Sequence, residues 1–130
     1  MRQITKESTK AFFNNTNYSK SNTFVNNNKF YLHNNLIAEI KDNKLILSNC
    51  GWFSNTTKER LNGILDYIGK PLIYQKNFIW YLDGNKWNGN RTEVNKNNDT
   101  TTNVGLSIVT LIIVPMILTI ITNIDINNLF

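Results

Sequence analysis

The chain has 130 residues, enough for one compact domain with an appendage. Hydrophobic residues at 41% and charged residues at 18% exclude both a highly charged disordered chain and a wholly membrane-embedded one. The formal charge of +5 is a mild basic bias, while one Cys and one His exclude a disulfide framework and argue against a Cys/His zinc site.

Near the start, Ile4, Ser8, Ala11 and Phe12 recur at helical spacing, with Thr5 as the expected N-cap and Asn14, Asn15 and Asn17 ending the helix. Residues 22–25 read as a short extended segment. Residues 29–33 and 36–40 then flank Asn34-Asn35, a pair that tolerates positive φ and so predicts a hairpin. A second turn over residues 41–44 leads into a strand over 45–50. Alternation places Phe30, Leu32, Leu36, Ala38, Ile40, Leu45 and Leu47 on one face.

The clearest helix follows residues 51–55. Thr56 and Glu59 form the spacing of a capping box, and Leu61, Ile64, Leu65 and Ile68 form an apolar stripe. Gly69 supplies a left-handed C′ position, and Pro71 prevents continuation. Gly63 inside the helix costs about 1 kcal/mol relative to Ala, which points either to close packing or to nothing special. Beyond it, residues 72–75 and 78–82 bracket a Lys76-Asn77 turn, and Asp83-Gly84 predicts a type I′ turn into residues 85–87. The expected fold class is α+β over residues 1–89: a small, mostly antiparallel sheet with two helices on one face. Burial of Trp52, Phe78 or Trp80 would supply roughly 150–250 Å² each to its core.

Composition changes sharply near residue 100. Residues 90–103 are polar and aperiodic and read as a tether. Residues 104–124 follow, a run without charge marked by Val104, Leu111, Pro115 and Thr122, which predicts a C-terminal transmembrane helix. A short tail closes the chain over 125–130. Lys86, Arg91 and Lys96 lie upstream of the run and only Asp125 lies after it, so the positive-inside tendency predicts a single-pass protein of the host cell membrane with its N-terminal domain cytoplasmic.

The runs Cys50-Gly-Trp-Phe-Ser-Asn-Thr-Thr-Lys-Glu-Arg-Leu-Asn62 and Phe78-Ile-Trp-Tyr-Leu-Asp-Gly-Asn-Lys-Trp-Asn-Gly89 carry a resemblance, as do Arg2-Gln-Ile-Thr5 and Leu32-His-Asn-Asn-Leu-Ile-Ala38. They resemble a family of small bacteriophage- and prophage-encoded proteins of unknown function. The resemblance covers about residues 1–89 and implies a phage origin and a single fold unit, without a mechanism.

Catalytic chemistry has little support in the residues. Cys50 and His33 both end strand candidates, but no third group is indicated to orient an imidazole. Asp42, Glu59, Asp66 and Asp83 are explained by turns, a cap or a helix surface. No phosphate loop or metal-ligand spacing occurs, so no cofactor, no metal and no enzymatic activity are expected. Binding is the better reading. Trp52, Phe53 and Trp87 are candidate exposed anchors for a host or phage protein at the inner face of the membrane, because aromatic side chains dominate interface hot spots. Lys58, Arg60, Lys76 and Lys86, interleaved with aromatics, support the alternative of a single-stranded nucleic-acid-binding module.

Overall fold

The computed structural model describes residues 1–94. Its strands follow from a local rule, a short extended segment ended by two residues in the left-handed region. Asn27-Asn28, His33-Asn34, Asp42-Asn43, Asn77-Phe78 and Asp83-Gly84 all hold both residues at positive φ, between 49° and 80°. This is type I′ geometry, whose twist matches that of the flanking strands. Asn and Asp accept it because their short polar side chains bond locally.

Helix α1 spans Gln3–Asn14, and β1 to β5 follow at Tyr18–Lys20, Thr23–Asn26, Lys29–Leu32, Asn35–Lys41 and Lys44–Leu47. Helix α2 spans Asn55–Tyr67, followed by β6 at Tyr74–Lys76, β7 at Ile79–Leu82, β8 at Asn85–Trp87 and β9 at Thr92–Val94. The strands form a six-stranded sheet, ordered β1-β2-β3-β4-β5-β9, and a three-stranded sheet, ordered β6-β7-β8. Every pairing is antiparallel. Helix α1 packs on β1 to β3 and on α2, while α2 also reaches β4.

One core joins these elements. Phe12, Val25, Phe30, Leu45, Leu47, Leu61 and Ile64 are fully buried in it, together with Trp80 from the smaller sheet. The face expected from strict alternation is shifted by a β-bulge. Tyr31 pairs with Leu36 and Phe30 with Ala38, so Ile37 has no partner of its own opposite. Ile37 and Ala38 are consequently both buried, whereas Leu36 and Ile40 are only half-buried.

The helix ends differ from the capping expected. Thr5 does not cap α1; Arg2 holds that position without a side-chain bond, and Thr5 is buried one turn further in. Ser54 caps α2, its Oγ accepting the Thr57 N–H at 3.2 Å. The Thr56–Glu59 box does not form, because Glu59 instead accepts the backbone N–H of Arg2 at 3.0 Å and the Arg60 guanidinium at 2.6 Å. The end of α2 is as expected. Gly69 has φ 73°, its N–H reaches the Asp66 carbonyl, and the Lys70 N–H bonds the Leu65 carbonyl at 2.9 Å. Gly63 lies where the two helices meet, and a Cβ there would collide with Thr5 and sit 2.9 Å from Thr9 Oγ1. Close packing is therefore the reason for this glycine.

The expected fold class is corrected in two respects. The strands divide between two sheets rather than one, β6, β7 and β8 pairing among themselves while β9 returns to β5. Among the described residues, no helix is long and apolar enough to cross a membrane. The transmembrane helix expected over residues 104–124, with Val104, Leu111, Pro115 and Thr122, lies outside the described residues. Part of the segment read as a tether is also ordered into the fold. Strand β9 pairs with β5, setting Leu45 opposite Val94 and Leu47 opposite Thr92, and Val94 is buried.

Candidate binding surface

The three-stranded sheet has one face for the core and one for solvent, and its register assigns every side chain. Cross-strand partners share a face: Gln75 with Trp80 and Trp80 with Trp87 on one side, and Tyr74 with Tyr81 and Tyr81 with Lys86 on the other. Trp80, Leu82 and Trp87 are buried on the inner side. Phe53 meets Trp80 edge-on, with centroids 5.1 Å apart and planes at 75°, and Lys58 Nζ lies 5.8 Å from a Trp80 ring centroid. These contacts tie the small sheet to the start of α2.

The outer side is apolar, aromatic and cationic. Tyr74 and Tyr81 stack with centroids 5.0 Å apart and planes within 5°. The paired Lys76 and Ile79 lie along the same face, with Lys86 opposite Tyr81. Tyr74 and Ile79 are exposed, as are Lys76 and Lys86.

At the tip of the β6–β7 hairpin stands Phe78, 92% exposed at φ 66°. The left-handed region is unfavourable for a bulky residue, and the ring recovers almost nothing through packing. The turn lies one residue later than the Lys76-Asn77 expected from the sequence, and Phe78, one of three aromatics whose burial would have fed the core, leaves the β7 strand for the turn. The turn is Asn77-Phe78, so the ring is delivered to solvent.

The residues singled out from sequence separate clearly. Trp52 and Phe53 are 60% and 52% exposed, with the Phe53 ring edge-on against buried Trp80. Lys76 and Lys86 share the outer face of the small sheet, whereas Lys58 is half-buried against Trp80.

Two candidates are corrected. Trp87 is buried, and its indole N–H is shared between the Asn90 carbonyl at 3.1 Å and Thr92 Oγ1 at 2.9 Å, where it closes the turn into β9. Arg60 is fully buried as a structural bracket between elements. Its Nε donates to Thr23 Oγ1 at 3.2 Å on β2, and its Nη1 donates to Thr5 Oγ1 at 2.8 Å on α1 and to Glu59. Burial holds the Arg60 guanidinium below its ordinary pKa, opposed by the Glu59 carboxylate. Burial raises the Glu59 pKa, but the Arg2 N–H, the Thr5 hydroxyl, Arg60 and Arg2 together bring it below the ordinary carboxylate range.

Tyr74 and Tyr81, among the aromatics interleaved with lysines in the sequence, belong to this face, as do Phe78 and Ile79, which the sequence does not single out for binding. Correct placement of the hairpin tip would have found them, since strand parity then puts Tyr74, Ile79 and Tyr81 outward. Cys50 and His33 each meet other groups. The Cys50 thiol donates to the Leu36 carbonyl at 3.1 Å, and His33 Nε2 lies 3.4 Å from Asn22 Nδ2. Among the described residues, no group of three or more His, Cys, Asp and Glu is placed to hold a metal ion.

No curated protein and no solved structure matches the chain. Residues 1–106 match the family described as Kyanoviridae Gp96 protein, a range that contains the whole described fold and both faces of the small sheet. The chain thus belongs to the Kyanoviridae Gp96 family, a phage protein family.

Proposed function

We propose that this phage protein is a non-catalytic binding module that captures or modulates a host or phage protein through the outer face of β6-β7-β8, with Phe78 as its anchor. The observation that carries this reading is Phe78 itself, an aromatic ring 92% exposed on a backbone that disfavours it. Strain without compensating packing is characteristic of sites where another molecule supplies the contact. Ile79 and the Tyr74–Tyr81 stack extend the apolar area beside it, and Lys76 and Lys86 give it a cationic border. The test compares partners cross-linked by the full chain with those cross-linked by Phe78→Gly and Tyr81→Ala variants. A specific partner lost from both folded variants supports the reading, whereas retention in both rejects it.

The Tyr74–Tyr81 stack between two lysines favours a second reading, single-stranded nucleic acid. Bases would extend the stack while Lys76 and Lys86 follow phosphates. Titration with single-stranded oligonucleotides at several salt concentrations separates the two, because counterion release makes affinity fall steeply with salt. Absence of binding at low salt removes the nucleic-acid reading and leaves the protein one.

A further inference from the structure

We propose that the cleft between β8 and β9 binds an extended segment of a partner protein, which adds a strand between the two sheets. Only four residues separate β8 from β9, yet the two strands do not pair. Between them lies a cavity of about 270 Å³, lined by Asn85, Lys86 and Trp87 on one side and by Thr92, Glu93 and Val94 on the other. Each wall is a sheet edge, one from each sheet.

The register shows which backbone groups these edges leave unused. Residues flanking a two-residue hairpin turn exchange both N–H···O=C bonds, and successive pairs then alternate between bonded and non-bonded. Across Asp83-Gly84 the bonded pairs are Leu82 with Asn85 and Trp80 with Trp87, so the Lys86 N–H and C=O are directed away from β7. Across Asp42-Asn43 the bonded pairs are Lys41 with Lys44 and Glu39 with Ile46, and the Ser48 N–H continues the series to the Ile37 carbonyl at 2.8 Å. Leu45, Leu47 and Asn49 therefore turn their polar groups the other way, and the Asn49 N–H does reach the Gly89 carbonyl, at 2.9 Å. Leu45 bonds Val94 and Leu47 bonds Thr92, which leaves the Glu93 N–H and C=O directed away from β5. Lys86 and Glu93 are both exposed, and among the described residues neither receives a backbone bond from outside its ladder.

An internal repeat indicates what fits there. Asn77-Phe-Ile-Trp-Tyr-Leu-Asp-Gly84 repeats the pattern of Asn27-Asn-Lys-Phe-Tyr-Leu-His-Asn34, with the turns, β7 and the start of β8 in step with the turns, β3 and the start of β4. In the first half, β4 has β3 on one side and β5 on the other, and the carbonyl of Leu36, the counterpart of Lys86, accepts the Cys50 thiol at 3.1 Å. In the second half, β8 has β7 on one side and the cleft on the other. The cleft occupies the place that β5 fills beside β4.

The two edges prescribe the guest. The turn over residues 88–91, closed by the Trp87 indole, reverses the chain. A strand antiparallel to β8, as β5 is to β4, therefore runs parallel to β9. One guest residue then sits between Lys86 and Glu93; its own N–H and C=O bond Lys86, while its two neighbours bond Glu93. Those neighbours point inward to Leu82, Trp87 and Val94, and the central side chain points outward between a cation and an anion. The fitting sequence is apolar, neutral polar, apolar in extended form, with main-chain bonds supplying affinity and the inward side chains specificity. The site uses an edge of the small sheet rather than the face beside Phe78, so neither reading depends on the other.

The test titrates the full chain with an acetylated, amidated pentapeptide of alternating threonine and valine, threonine central, followed by the amide signals and hydrogen exchange of Lys86 and Glu93. The expected result is saturable binding that slows exchange at both amides about tenfold or more. The same peptide N-methylated at its central threonine lacks the donor to Lys86 and should bind about tenfold more weakly. Glu93→Pro removes an edge N–H but no ladder bond, so it should keep the fold and lose the peptide. If that variant does not fold, the N-methylated peptide carries the test alone. The proposal is overturned if the peptide does not saturate, if it binds without slowing exchange at Lys86 and Glu93, or if N-methylation or a folded Glu93→Pro variant leaves affinity unchanged.

Discussion

Replacing Phe78 by glycine should make the protein more stable while removing its binding. The left-handed conformation costs an L-residue roughly 1–2 kcal/mol that glycine does not incur. Glycine gives back about 0.4–1 kcal/mol through the larger freedom of the unfolded chain. The ring is 92% exposed, so truncation forfeits almost no burial. The difference is a gain of about 0.5–1 kcal/mol, which for a domain of this size raises Tm by roughly 2–8 °C. Asn77-Gly would also be a preferred type I′ pair, so register should hold. The assay is thermal and urea unfolding of the full chain, with an unchanged urea slope showing that the native state remains compact. Phe78→Asn serves as a control, since Asn occupies the same turn position at Asn28 with φ 58°. Loss of partner affinity by about thirtyfold or more, a hot-spot effect of at least about 2 kcal/mol, should accompany the gain in stability. A Phe78→Gly protein that melts below the parent would refute the reasoning, because the ring would then be contributing packing to the fold.

Three further outcomes test the interior. Gly63→Ala should destabilise by about 1–3 kcal/mol in urea unfolding despite alanine's better helix propensity, because its Cβ would meet Thr5 and Thr9. Trp87→Phe should lower stability by about 1–3 kcal/mol through the lost bonds to Asn90 and Thr92, leaving partner affinity unchanged. Glu59→Gln should cost about 2–4 kcal/mol at neutral pH, because it removes the charge beside buried Arg60. The folded-state pKa of Glu59 is lowered, so its stabilisation is present above the unfolded carboxylate value, about 4.3, and is lost as pH falls through the folded value. Urea midpoints measured from neutral to acid pH should therefore fall less steeply below that value in the Glu59→Gln protein than in the parent.

The sequence was most legible where one local signal sufficed. Leu61, Ile64 and Leu65 of the expected stripe are buried, its fourth member Ile68 is half-buried at the C-cap, and Gly69 follows in the left-handed conformation. Asp83-Gly84 forms the turn that this pair specifies. Legibility failed where two adjacent residues competed for one role. Asn34-Asn35 and Lys76-Asn77 lie one residue from the true turns, His33-Asn34 and Asn77-Phe78, since Asn suggests positive φ more strongly than His and Phe does not suggest it. A longer-range regularity resolves that ambiguity. Turns start at Asn27 and His33 and again at Asn77 and Asp83, so four-residue strands alternate with two-residue turns. Counting back from Asp83-Gly84 places the preceding turn on Phe78. The buried roles of Arg60 and Trp87 had no such signal, because their partners Thr5, Thr23, Asn90 and Thr92 are set by tertiary packing.

The same turn rule explains why the proposed binding surface falls on the smaller sheet. In β2 to β5, the turn residues are Asn, His and Asp, and the Asn28 amide also donates to the Phe12 carbonyl of α1 at 3.1 Å. At Asn77-Phe78 the backbone is the same but the side chain is not, so the fold gains nothing from the substitution it tolerates. The tolerance has an identifiable source. Trp80 and Trp87 anchor β7 and β8 from below, with Phe53 and Lys58 against Trp80. An anchored sheet absorbs a strained tip without losing register, whereas an isolated hairpin would be marginal even with an ideal turn. The buried tryptophans and the exposed phenylalanine are therefore parts of one arrangement, in which inward aromatic packing holds an outward aromatic ring in position. Mutating Trp80 should accordingly weaken binding through loss of that support, even though the register directs its side chain to the opposite face.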